Sequence, residues 1–255
     1  MPIRESAPVG APCWIDLMSS DVPRAREFYG ELFGWSSTTP AAEHGGYVNF
    51  ARNEHLVAGC LPKQQVALPD LWTVYLASDD AEATSQAAAA NGGVVHVPAM
   101  TIASLGRMAY VEDSGHASIG IWEPGEHKGF SVFGEPDSPS WFELHTRKYD
   151  ETVQFYRDVF GWRTFTASDD PGFRYTTLGE GDERLAGIMD AGAFLSEAMP
   201  AHWSIYFGTA DCDTSVETIL ANGGSVVSDP TDTPFGRVAH VCDPMGASFK
   251  LVAGM

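Results

Sequence analysis

The stretch Trp14-Ile15-Asp16-Leu17, followed by Arg26-Glu27-Phe28-Tyr29-Gly30-Glu31-Leu32-Phe33-Gly34-Trp35, is written a second time in this chain. Its copy reads Trp141-Phe142-Glu143-Leu144, then Val153-Gln154-Phe155-Tyr156-Arg157-Asp158-Val159-Phe160-Gly161-Trp162. Trp14, Phe28, Tyr29, Phe33, Gly34 and Trp35 recur 127 positions later. The match runs on. Trp72 to Leu76 answers Trp203 to Phe207, Asn91-Gly92-Gly93 answers Asn222-Gly223-Gly224, and Gly106-Arg107 through Asp113 answers Gly236-Arg237 through Asp243. A repeat unit of domain size points to duplication of a whole domain, not to a solenoid.

Each copy reads as two strand–helix–strands units. In the first copy, Cys13 to Met18 alternates like a strand. Asp21 offers an N-cap, and Pro23 stands in the first turn, where its missing N–H is no loss. Val22, Ala25, Phe28, Tyr29, Leu32 and Phe33 then fall at helical spacing, and Gly34 is placed to end the helix. Strands are expected at Tyr47 to Ala51 and Leu56 to Leu61. The second unit opens with a strand at Leu71 to Ala77, continues with a helix at Ala81 to Ala90, and ends with strands at Val94 to Val97, Arg107 to Val111 and Ala117 to Trp122. In the second copy, helices are expected near Glu151 to Phe160 and Thr214 to Ala221. The order βαβββ therefore occurs four times. The expected fold is α+β: two eight-stranded half-barrel cups with helices outside, each cup closing within its own half. The expected division is a loose tail over 1–11, one domain over 12–124, a Pro/Gly-rich linker over 125–139 and a second domain over 140–255.

Net charge is −19 over 255 residues, which argues against nucleic acid and an anionic membrane as partners. Cys13, Cys60, Cys212 and Cys242 form neither a disulfide framework nor a zinc motif. No signal peptide or membrane-spanning run is read, and a reducing cytoplasm fits. Two complete cups in one chain are compatible with a monomer.

The D-x-x-x-A-x-x-F-Y-x-x-L-F-G-W run and the Asp243-Pro244-Met245-Gly246-Ala247 turn resemble the vicinal oxygen chelate superfamily, the group of glyoxalase I, extradiol dioxygenases and bleomycin-binding proteins. Metal-using members hold a divalent ion inside the cup on His or Gln and Glu side chains. Carried over by position, those ligand places fall on Trp14, Thr73 and Gly120 in one copy, and on Trp141, Ser204 and Lys250 in the other. The remaining place falls within Leu56 to Leu61 and Leu185 to Met189, which contain no carboxylate. The resemblance therefore implies no metal at the usual site, and no cofactor is called for.

Strand alternation puts Trp14, Asp16 and Met18 on one face, with Trp141, Glu143 and His145 on the matching face. Asp16, Glu143 and His145 are the candidate catalytic residues. Each carboxylate is read either as a general base or ligand anchor with raised pKa, or as a structural group paired with Arg107 or Arg237. His145 stands where the first copy has Met18, so the second cup is expected to be the more polar. Glu143 and His145 lie about 7 Å apart along a strand, a spacing read as too long for a direct bond in most rotamers. Trp14, Met18, Tyr75, Trp141, Tyr206 and His240 are the candidate ligand-binding residues, and an aromatic-walled cup suits planar organic ligands. His44, His55, His116 and His127 fall in expected loops or turns. Two functions stand open: a small-molecule binder of the sequestration or resistance type, holding a planar apolar or aromatic ligand, and a metal-independent lyase, isomerase or cyclase. A metal-dependent glyoxalase or dioxygenase is disfavoured by the missing ligands.

Overall fold

The computed structural model describes residues 4–40, 45–64 and 67–254. His44 lies outside the described residues. The first half contains strands β1 (Pro12–Ser19), β2 (Ser36–Ser37), β3 (Val48–Arg52), β4 (His55–Pro62), β5 (Leu71–Ala77), β6 (Val94–Ile102), β7 (Gly106–Glu112) and β8 (Ser118–Pro124). Helices α1 (Val22–Phe33) and α2 (Ala81–Ala90) interrupt them. The second half repeats the plan with β9 (Pro139–Thr146), α3 (Tyr149–Phe160), β10 (Thr164–Asp170), β11 (Phe173–Leu178), β12 (Ala186–Asp190), β13 (His202–Gly208), α4 (Cys212–Ala221), β14 (Ser225–Thr233), β15 (Gly236–Cys242) and β16 (Ser248–Ala253). Strand orders are β2-β3-β4-β1-β5-β8-β7-β6 and β10-β11-β12-β9-β13-β16-β15-β14, so each sheet forms within one half. Among the described residues no helix is long and apolar enough to cross a membrane.

The local signals act as read. The Asp21 carboxylate accepts from the Arg24 N–H at 3.0 Å and caps α1. Gly34 and Gly161 end α1 and α3 in the left-handed conformation, at φ 67° and 66°, which glycine adopts without Cβ strain. His55 opens β4 instead of lying in a loop.

One face of each sheet carries the helices and the other lines the cup. The halves meet through their helix-bearing faces, where a single core runs across both. Phe33 and Trp35 pack on Phe207, and Tyr29 packs on Phe249. Reciprocal bonds tie the halves together. The Tyr29 hydroxyl donates to Asp243 and the Tyr156 hydroxyl donates to Asp113, at 3.2 and 2.9 Å. Trp72 and Trp203 donate in turn to those two hydroxyls. Buried phenols and carboxylates of this kind persist only when hydrogen-bonded. Burial pushes the Asp113 carboxyl up to about 6.

Residues 4–11, expected to form a loose tail, are docked. The Arg4 guanidinium donates to the Pro12 carbonyl and stands over Phe130, and the Gly10 carbonyl accepts from Trp162. The linker is docked too. The N–H groups of His127 and Phe130 donate to the carbonyls of Leu105 and Cys13.

Candidate functional site

A matching arrangement of tryptophan, carboxylate and tyrosine stands in both cups. In the first, the Asp16 carboxylate accepts from the Tyr47 hydroxyl at 2.6 Å and from the Trp14 indole at 2.9 Å. In the second, the Glu143 carboxylate accepts from Tyr175 at 2.9 Å and from Tyr206 at 2.7 Å, while the Trp141 indole donates to Tyr175. Tyr47 and Tyr175 reach their carboxylates across a glycine on the intervening strand, because Asp16 pairs with Gly59 and Glu143 with Gly187. A Cβ at Gly59 would stand 1.8 Å from the Tyr47 hydroxyl, and one at Gly187 2.1 Å from that of Tyr175. The repeat thus preserves two side chains and the empty space they need.

Neither carboxylate pairs with the arginines. Arg107 pairs with Glu123 and Glu82, and Arg237 with Asp213 and Asp232. Arg107 and Arg237 alternate with cup-facing neighbours and point to the helix side, toward α2 and α4. The direct Glu143–His145 bond read as out of reach is present: Glu143 Oε1 and His145 Nε2 are 2.6 Å apart. The imidazole folds back along the strand, and its length closes the gap. Since the carboxylate can only accept, Nε2 carries the proton and the Nδ1 lone pair is free.

The two carboxyls have opposite electrostatics. Burial pushes Asp16 up, against the hydrogen bonds from Tyr47 and Trp14. Burial would also raise Glu143, but the His145 hydrogen bond and the Lys250 charge outweigh it and hold the carboxyl down to about 2. Of the two readings open for each carboxylate, the raised pKa is found at Asp16 alone, and the low value of Glu143 makes it the weaker base.

Lys250, which the sequence shows only as a vacated metal-ligand place, joins this site. Its ammonium donates to the Tyr206 hydroxyl at 2.8 Å and to Glu143 at 3.4 Å, with 3.4 Å to His145 Nε2. A lysine cation against the two ligand-type side chains does not suit a divalent ion, and Trp141 and Ser204 supply no strong donor. The residues present do not fit the metal of the superfamily's usual site, and among the described residues no cluster of three His, Cys, Asp or Glu forms elsewhere.

The cups also differ in what fills them. In the first, Trp14 and Tyr75, expected as walls, are buried. His127 of the linker packs edge-on against Trp14 with ring centroids 4.3 Å apart, and Trp122 lies beside it. The sequence places His127 in a loop, and only the fold reveals that this loop covers the cup. In the second, Val252 stands at the register of Trp122, and a cavity of about 590 Å³ opens beside it. Phe133, Trp141, Phe173, Tyr175, Tyr206 and Phe235 wall this cavity, and Glu143 reaches it. Phe173 and Tyr175 stack, with centroids 5.5 Å apart. Met18 of the first cup is half-buried, while His240 lies at the far end of the second, bonded to Ser248.

Comparison with known proteins agrees with this architecture. Residues 138–251 match the model of the glyoxalase/bleomycin resistance protein/dioxygenase superfamily. The chain is 36% identical to the "Anthracycline biosynthesis protein DnrV" of Streptomyces peucetius, over 95% of this chain and 93% of that protein. It is 34% identical to the "Putative glyoxylase CFP32" of Mycobacterium tuberculosis, over 99% and 98%. In structure it is similar to the 2,3-dioxygenase LapB of Pseudomonas sp. KL28, at 14% identity and a TM-score of 0.67, covering 96% and 92% of the two chains. At that identity the likeness speaks for the fold alone. With its two eight-stranded sheets and its duplicated motif, the chain belongs to the glyoxalase/bleomycin resistance protein/dioxygenase superfamily.

Proposed function

We propose that the second half binds a planar, largely aromatic small molecule in the cavity beside Glu143, and that the first half is a scaffold. The carrying observation is the pairing of a 590 Å³ aromatic-walled cavity with a carboxylate held ionised at its edge. That volume lies in the range of small-molecule sites, and flat rings stack well on Trp, Tyr and Phe. Among the described residues Oε2 of Glu143 has only the Tyr175 hydroxyl as partner, so it is free to accept from a ligand hydroxyl or N–H. A relative named for anthracycline biosynthesis supports a fused-ring ligand. Capture of such a molecule would serve sequestration or resistance.

The test is calorimetric titration with a neutral anthraquinone. One site is expected, with at least about a tenfold loss on Trp141→Ala, equivalent to about 1.4 kcal/mol. Two equal sites, or an unchanged affinity in Trp141→Ala, would refute the reading.

One observation favours a second reading, a metal-independent lyase, isomerase or cyclase. Glu143 fixes the His145 tautomer and leaves Nδ1 as a base, so Glu143 positions and His145 moves the proton. If turnover of an anthraquinone-type ligand is found, His145→Gln should abolish it, and a pH profile without an imidazole limb would exclude this role.

A further inference from the structure

Four positions of the second cup are basic where the first cup has none. His145 pairs with His202 across β9 and β13, and His240 pairs with Lys250 across β15 and β16. The register-equivalent pairs in the first half are Met18 with Leu71 and Tyr110 with Gly120. Direct cross-strand neighbours share a sheet face, so all four basic groups stand on the concave side. This concentration of base arises in a chain of net charge −19, where a general excess of cations cannot explain it.

The partners of these groups leave polar capacity unused. The His202 Nδ1–H donates to the Pro200 carbonyl at 3.0 Å, so its Nε2 lone pair is free. His145 and His202 lie with ring centroids 5.1 Å apart, and the His145 Nδ1 is free as well. Because His145 Nε2 carries the proton given to Glu143, it cannot accept from Lys250, so one N–H of the ammonium lacks an acceptor. Glu143 and Tyr206 are the acidic groups facing this cluster, and the Glu143 charge is already matched by Lys250 and the His145 N–H. His145 is buried, and His202, His240 and Lys250 are half-buried. Burial, aided by the Lys250 charge, holds His240 down to about 4, and burial lowers His202 too, so both are neutral near pH 7 without a ligand.

We propose that this basic end of the second cup binds a carboxylate group of the ligand and takes up one proton with it, while the rings of the ligand occupy the aromatic cavity on the other side of Glu143 and Tyr206. An incoming carboxylate accepts from the Lys250 ammonium. Its charge reverses the desolvation penalty on the neighbouring imidazoles, so His202 or His240 protonates and becomes a second donor. The ligand is thus a planar aromatic acid, with its acid group on the side of His202 and its rings on the side of Trp141. This inference rests on the cavity reading above.

The test titrates anthraquinone-2-carboxylate and its methyl ester in parallel between about pH 6 and about pH 9, across the upper limb of an imidazole titration. The acid is expected to bind more tightly than the ester at the low end. Its affinity should fall with rising pH, by up to about tenfold per unit, as the linked proton becomes scarce, while the ester shows no slope. His202→Leu with His240→Tyr, the residues the first cup carries there, should remove the slope and weaken, through the Lys250 ammonium that stays, the preference for the acid. Unchanged ester affinity in that variant shows that the cavity is intact. Ester and acid binding alike, with no slope, would overturn this inference and leave the cavity reading standing. Binding of neither would overturn both.

Discussion

The two cups share a skeleton and differ in contents. Trp14, Asp16, Tyr47, Gly59 and Tyr75 repeat as Trp141, Glu143, Tyr175, Gly187 and Tyr206, so the hydrogen-bonded floor is common property. Over that floor the first half lays Trp122 and His127, while the second has Val252 and a cavity. Beside it the first half has Met18, Leu71, Tyr110 and Gly120, while the second has His145, His202, His240 and Lys250. The floor is therefore not the functional specialisation. A cavity and a charge cluster, each created by a few side-chain exchanges, distinguish the second half from the first.

The largest contrast between the halves should appear in the carboxylates. Glu143→Gln leaves the Lys250 ammonium buried without its counter-charge and should cost about 3 kcal/mol, as breaking a buried pair does. Asp16→Asn keeps an oxygen to accept from Tyr47 and Trp14 and relieves a carboxyl that burial disfavours as an anion, so it should change stability by less than about 1 kcal/mol. Chemical denaturation near neutral pH measures both, and equal losses would erase the distinction. The pH dependence sharpens it. Glu143 is depressed to about 2 from 4.5, so its contribution is whole above 4.5 and is lost as pH falls toward 2. Asp16 is raised, so its penalty is felt at higher pH and disappears as pH falls through its folded value. The acid limb of stability should therefore flatten in Glu143→Gln and steepen slightly in Asp16→Asn.

Where the halves are alike, the effects should be alike. Gly59→Ala and Gly187→Ala each put a methyl onto the phenol oxygen that serves the carboxylate. Each should cost about 2 kcal/mol, the scale of core overpacking. Only Gly187→Ala should also weaken ligand binding, since Tyr175 walls the cavity. A ligand affinity that falls equally in both variants would show that the first cup binds too.

The repeat, the four βαβββ units and the places of Asp16, Glu143 and His145 are legible in the sequence because they depend on local periodicity and on comparison of one half with the other. Lys250, His202 and the plug His127 are not. Their roles depend on strand register and on where a linker lies across a sheet, and both are set by contacts more than 40 residues apart. The direction of the Glu143 shift is hidden for the same reason: His145 alone is visible beside it, while Lys250 arrives from 107 positions away. The arginine pairing fails because alternation along β7 and β15 turns Arg107 and Arg237 to the helix side, which is plain once the face of each strand is known.

The smallest expected effect concerns the plug itself. His127 packs between Trp14 and Trp122, and its Nε2 is buried with no hydrogen-bond partner among the described residues. Burial holds the imidazole down to about 4 from 6.5. The unfolded chain therefore binds a proton more readily than the folded one between those values. The stabilisation is complete above pH 6.5 and is lost as pH falls toward 4. The imidazole is only part-buried, so the loss should be limited to about 1 kcal/mol. His127→Phe keeps an aromatic ring against both tryptophans and removes the orphaned nitrogen. It should raise stability by about 1 kcal/mol at pH 5 and by less at pH 8, flattening that part of the pH profile. Ligand affinity in the second cup should not move, because His127 lies in the first. A Tm difference between wild type and His127→Phe that is the same at both pH values would mean that the imidazole is solvated, and that the first cup is open after all.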